Sequence, residues 1–159
     1  MPVTVTMRGD VATAAPADAF VVDDSLGYAV NMLGRHFARI LAERLGGVGI
    51  AMGYWPILLA LWAEDGLTQK DIAARTPIDE TTIARTLDRM ERDGLVERRR
   101  NATDRRAINV HLTETGQGLR EAGIAQAMAV NATAAQGLTA DEVATFLALL
   151  RRMAANLTT

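Results

Sequence analysis

The stretch from Leu67 to Thr113 constrains this chain most. It reads as a short helix, a turn, a second helix, and two short strands joined by a charged hairpin. Thr68-Gln69-Lys70-Asp71 has the form of a capping box, with Asp standing where Glu or Gln is usual. Thr76-Pro77 breaks the helix that this box opens, because proline pushes the residue before it out of the helical region. Asp79 caps the next helix, near Glu80–Asp93. Ile83, Leu87 and Met90 recur at i, i+4 and i+7, so that helix has one inward apolar face. Gly94 stops it. Leu95–Arg98 and Ala107–Leu112 then read as two antiparallel strands.

The hairpin tip, Arg98 to Arg106, holds five arginines against one aspartate, a local balance of 5 − 1 = +4 in a chain of net charge −2. Duplex DNA is a line of phosphates, and a protein that grips it concentrates positive charge locally. A helix fits the major groove when its exposed face carries short polar and cationic side chains and its other face is anchored on a core. Thr81, Thr82, Arg85, Thr86, Arg89 and Arg92 are assigned to that outward face. An arginine at a hairpin tip reaches the narrower, more electronegative minor groove. Charge alone is a weak warrant here, since the basic residues are sixteen arginines and one lysine, Lys70, an arginine bias that extends to the whole chain.

Composition narrows the alternatives. At 159 residues and 49% hydrophobic content, the chain is long enough for one compact domain or two small lobes sharing a core. Only 4% of residues are aromatic, so the core must be aliphatic, which favours packed helices over a β-sandwich. There is no cysteine, which excludes disulfides, thiolate metal sites and a cysteine redox switch. The two histidines, His36 and His111, lie far apart in sequence, so no metal site is expected. His111 falls in a strand beside the hairpin and is assigned no special role. No apolar run reaches the roughly 18 residues of a membrane span, and the N-terminus lacks a signal pattern; a soluble cytoplasmic protein without a membrane partner is expected.

Around the central motif the chain is helical. Residues 1–24 show no clean period and read as a flexible tail or arm. Leu26, Val30, Leu33, Phe37, Ile40, Leu41 and Leu45 form a helical stripe capped by Ser25 and ended by Gly46-Gly47. A second helix runs from about Gly53 to Glu64, with Pro56 in its first turn. After the hairpin, one helix is expected over Glu114–Ala134 and a last one over Thr139–Asn156, the latter opened by Thr139-Ala140-Asp141-Glu142. The fold class is therefore mainly α with a small β-wing, a winged helix-turn-helix.

Asp104-Arg105-Arg106-Ala107-Ile108-Asn109-Val110-His111-Leu112-Thr113 fits the wing pattern D-x-R-x-x-x-[VI]-x-L-T of the multiple-antibiotic-resistance regulator (MarR) family without a departure. Leu87–Val96 resembles the end of that family's recognition helix, and Leu67–Ala73 its helix-turn-helix entry. The resemblance covers about Ser25–Asn156. It implies a homodimer in which terminal helices interlock: residues 25–50 and 114–159 would dimerise, and residues 51–113 would form the DNA-binding lobe. The wide apolar stripes of those terminal helices favour association independently. Two-fold symmetry implies a pseudo-palindromic operator with half-sites about 10 base pairs apart.

The resemblance also distributes roles. Arg106 is the D-x-R arginine and the first choice for the minor groove, with Arg105 beside it and Asp104 as an ion-pair orienter of a wing arginine. Arg98, Arg99 and Arg100 are phosphate contacts or a solvated charge run. Arg89 either touches DNA or pairs with an acidic residue to hold the helix against the wing. Thr68 and Lys70 are candidate phosphate contacts at a helix N-terminus. Family members typically repress transcription, and many leave DNA on binding a small aromatic or anionic ligand. Met32, His36, Arg39, Tyr54 and Trp55 would line such a pocket; for Met32, Tyr54 and Trp55 the other reading is core packing, and for His36 an interface histidine.

Two alternatives compete with a ligand-released repressor. One is a ligand-independent DNA-binding activator or architectural factor. The other is an enzyme, which needs a nucleophile, a base and a pocket. No paired histidines and no phosphate loop after a strand are present, since Gly46-Gly47-Val48-Gly49 follows a helix. No enzyme and no cofactor are expected.

Overall fold

A computed structural model describes residues 21–101, 103 and 106–158. The expected arm therefore lies outside the described residues except for Val21–Asp24, and Asp104 and Arg105 lie outside them too. The chain divides into two compact units, residues 1–36 and 37–159.

The first unit holds a short 3-10 helix, Val22–Asp24, and the opening turns of α1, Leu26–Gly47. Ser25 Oγ accepts the Tyr28 N–H at 3.3 Å, as its capping role requires. Leu26, Tyr28, Val30, Met32 and Leu33 are all exposed there.

The second unit carries the rest of α1, then α2 (Trp55–Ala63), β1 (Leu67–Thr68), α3 (Gln69–Arg75), α4 (Glu80–Arg92), β2 (Val96–Arg100), β3 (Ile108–Leu112), α5 (Glu114–Gly118), α6 (Arg120–Ala134) and α7 (Ala140–Leu157). Its core is mainly aliphatic, as composition implies, with Tyr54 and Trp55 joining it. Leu45, Ile50, Ile57, Leu58, Leu61, Ile72, Ile83, Leu87, Met90, Val96 and Val110 are almost fully buried. Each such side chain contributes about 1.5–3 kcal/mol by leaving water. The core thus sits beneath α2, α3, α4 and the sheet, and it fixes the attitude of α4.

Both boxed helix starts form. Thr68 accepts the Asp71 N–H while Asp71 accepts the Thr68 N–H, and Thr139 and Glu142 do the same at α7. The sheet departs from expectation. It has three strands in the order β1-β3-β2, because Leu67 and Thr68 pair with Val110 and Asn109. The helix expected over Glu114–Ala134 is also two helices, broken at Leu119. Gly116 and Gly118 weaken the first turns. The Gly116 carbonyl, which an unbroken helix offers to the Arg120 N–H, accepts the Trp62 indole N–H at 3.1 Å. No single helix among the described residues is long and apolar enough to cross a membrane.

Candidate nucleic-acid interface

The reading face begins with the N-cap of α4. Asp79 accepts the Thr82 N–H at 2.9 Å and the Thr82 hydroxyl at 2.6 Å. Those bonds, the Thr82 hydroxyl first, hold the Asp79 carboxyl below its ordinary range. Thr81, Thr82, Arg85, Arg89 and Arg92 are exposed along the helix, and Ile83, Leu87 and Met90 are buried beneath it.

Thr86 does not join the outward face assigned to it. It is 2% exposed, and its hydroxyl donates to the Thr82 carbonyl at 2.8 Å. With Ile83, Leu87 and Met90 it completes an i, i+3, i+4, i+7 set, which is the inner stripe of a helix. Its position in the heptad carried that signal, and its polar side chain concealed it.

The wing packs against the same helix. Val96, Arg98 and Arg100 alternate onto one face of β2, opposite Leu112, Val110 and Ile108 of β3. Arg98, read as a phosphate contact or part of a solvated charge run, is engaged within the chain. Its guanidinium binds Asp88 at 2.6 Å and Glu91 at 2.5 Å, and its backbone N–H donates to Glu91 at 3.1 Å. Burial works against the Arg98 charge, but the bonds to Asp88 and Glu91 outweigh it and leave the guanidinium more basic than usual. The wing-to-helix ion pair foreseen for Arg89 is thus made by Arg98. Arg89 itself donates to the Thr86 hydroxyl at 3.3 Å.

Arg99 is exposed and bonded to Glu97. Arg100 and Arg106 are exposed at the distal end of the hairpin. There the Asn101 N–H closes on the Ala107 carbonyl at 3.0 Å. Asn101 also donates to Asn109 at 3.0 Å, and Asn109 donates to the Gly66 carbonyl at 2.5 Å. That relay braces the tip against the turn before β1.

His111 has a role that sequence reasoning missed. Its Nδ1 lies 3.0 Å from Asp65, whose other oxygen accepts the Leu112 N–H at 2.8 Å. Burial raises the Asp65 carboxyl, but the Leu112 and His111 bonds lower it by more, so it sits below its ordinary range. Lys70 is exposed on α3, whereas the Thr68 hydroxyl is committed to its cap.

The residues expected to line a ligand pocket divide. Met32, His36 and Arg39 are exposed on α1, the first two in the unit of residues 1–36. Tyr54 and Trp55 are buried among core residues. The Tyr54 hydroxyl donates to Asp93 at 2.6 Å, and Trp55 meets Trp62 edge-on with centroids 5.8 Å apart. Packing, the alternative reading for both, accounts for them.

A recognition helix braced by a three-stranded wing defines the winged helix-turn-helix class. Residues 48–107 match the MarR family model. The multiple antibiotic resistance protein MarR of Escherichia coli is 30% identical over 131 residues, covering 80% of this chain and 90% of that protein. The HTH-type transcriptional regulator TtmR of Methylorubrum extorquens is 33% identical over 99 residues, 62% of this chain; the chain spans about half of TtmR, 51%. A crystal structure of a mutant E. coli MarR complexed with operator DNA superposes with a TM-score of 0.75 at 29% identity, covering 80% of this chain and 92% of that one. The chain belongs to the MarR family of transcriptional regulators, not to a family of enzymes.

Proposed function

We propose that this chain is a homodimeric DNA-binding regulator that occupies a pseudo-palindromic operator through α4 and its wing. One observation carries the reading: α4 turns Arg85, Arg89 and Arg92 outward, while Arg98 ties the arginine-bearing wing to that helix. The solved relative bound to operator DNA supports the same use of the fold. Residues 51–113 act as the DNA-binding lobe. Arg85 reads base edges, Thr81 and Arg89 support it, and Arg100 and Arg106 reach the backbone and minor groove.

Residues 25–50 and 114–159 serve dimerisation. α7 supports this, since its 18 residues include none that is buried within the chain while Phe146, Leu147 and Leu149 stand exposed. The protein works as a cytoplasmic repressor released by a small aromatic or anionic ligand. Footprinting on its own upstream region tests the reading. Protection of two half-sites about 10 base pairs apart supports it, and protection of none sinks it. Aromatic carboxylates and acyl thioesters titrated into the same footprint test release.

A further inference from the structure

Asp93 occupies an awkward position. It is the C-cap of α4, where the partial negative charge of the helix end disfavours a carboxylate. Two cations of the last turn, Arg89 and Arg92, lie on the same helix end, and Arg89 is four residues away, at ion-pairing distance along a helix. Yet no ion pair joins Asp93 to either arginine among the described residues. The carboxylate instead accepts the Tyr54 hydroxyl at 2.6 Å, across 39 residues of sequence. Tyr54 is 9% exposed and ends a second short 3-10 helix, Met52–Tyr54, which leads into α2, so its ring is fixed by the core. Burial and the Asp93 bond both keep the phenol protonated and therefore a donor.

We propose that Tyr54 is a positioning residue for DNA binding: its hydroxyl holds the Asp93 carboxylate against the lobe, so Arg89 and Arg92 stay available to phosphate. This rests on the reading that α4 meets DNA. Without the hydroxyl, the carboxylate turns to an arginine and competes with the phosphates for it.

The test uses the full chain and a duplex selected by the wild-type protein from a random pool, with binding followed by fluorescence anisotropy across a salt series. Tyr54→Phe keeps the ring and removes only the donor. It should weaken binding about fivefold at ~0.15 M salt and flatten the salt slope by about one, the loss of one phosphate contact. Adding Asp93→Asn removes the competing charge and should restore both affinity and slope, although the Tyr54 bond is still absent. A Tyr54→Phe variant that binds like wild type overturns the inference. So does a weakened variant that Asp93→Asn fails to restore, because that result marks a purely structural contact. If the wild-type chain itself shows no salt-dependent binding to any duplex, the DNA reading falls first and the inference with it.

Discussion

Arg98 of β2 reaches back to Asp88 of α4, with its Nη2 2.6 Å from the carboxylate, and this charge contact makes wing and recognition helix one body. Its second carboxylate, Glu91, lies one turn further along the same helix. An arginine counted by sequence among the cations of the tip is therefore a brace. Replacing it should act on geometry more than on charge.

Arg98→Met should cost about 1 kcal/mol or less in stability, because both carboxylates face solvent and such pairs are screened. Amide exchange in β2 should accelerate all the same, and operator affinity should fall. Arg99→Met should leave β2 exchange unchanged, since the Arg99 guanidinium, among the described residues, bonds within its own strand, to Glu97. Equal exchange in the two variants would refute the brace.

Arg85 and Thr86 are neighbours with opposite expected phenotypes. Arg85→Ala should cost roughly 1–3 kcal/mol on the cognate operator and relax base preference, with the melting temperature unchanged. Thr86→Val keeps the buried shape and loses the hydroxyl that donates to the Thr82 carbonyl and accepts the long 3.3 Å bond from Arg89. It should lose about 1 kcal/mol of stability or less and keep its base preference. Denaturant melts paired with a single-base-substitution series separate the two.

What the sequence made legible follows from how local each cause is. Helix ends at Thr68, Asp79, Gly94 and Thr139 are written in neighbouring residues, as is the inward stripe of Ile83, Leu87 and Met90. β1 was invisible because two residues carry no period, and Thr68 doubles as a helix cap. The break at Leu119 depends on Trp62, 54 residues away from the carbonyl it binds. The partners of Arg98 and of Tyr54 likewise become visible only when the chain closes on itself.

Acid should loosen the turn before β1. The Asp65 carboxyl has a depressed pKa in the folded state, so its contribution to stability is present above the unfolded value of about 3.9. That contribution is lost as pH falls through the lower folded value. Urea melts from pH 6 down to pH 2.5 should show a steeper acid loss for wild type than for Asp65→Asn. Parallel curves would remove Asp65 from the account.

The glycines of α5 and α6 give a graded test of packing. A Cβ at Gly116 would lie 2.1 Å from the Leu95 carbonyl oxygen, a backbone atom that strand β2 follows directly. Gly116→Ala should therefore destabilise by about 1–3 kcal/mol or more, because a backbone shift is required. At Gly123 the nearest atoms are the Ile50 methyl at 2.8 Å and the Trp55 ring at 3.0 Å, and side chains yield more readily. Its cost should be smaller. Nothing lies within 4 Å at Gly118, so Gly118→Ala should stabilise by up to about 1 kcal/mol through helix propensity. Thermal melts should rank the three in that order.

The exposed side chains of α7 give the last test. Phe146, Leu147 and Leu149 are 44%, 43% and 48% exposed, and an 18-residue helix that buries none of its own residues needs a second surface. Leu147→Glu places a charge on that face without touching a core residue of the chain. Light scattering after size exclusion should move from dimer toward monomer, and helical content should hold at low concentration. Operator affinity should drop far more than affinity for a single half-site, because a dimer engages both half-sites through one linked body. A Leu147→Glu protein that remains a dimer with full operator affinity would take α7 out of the interface.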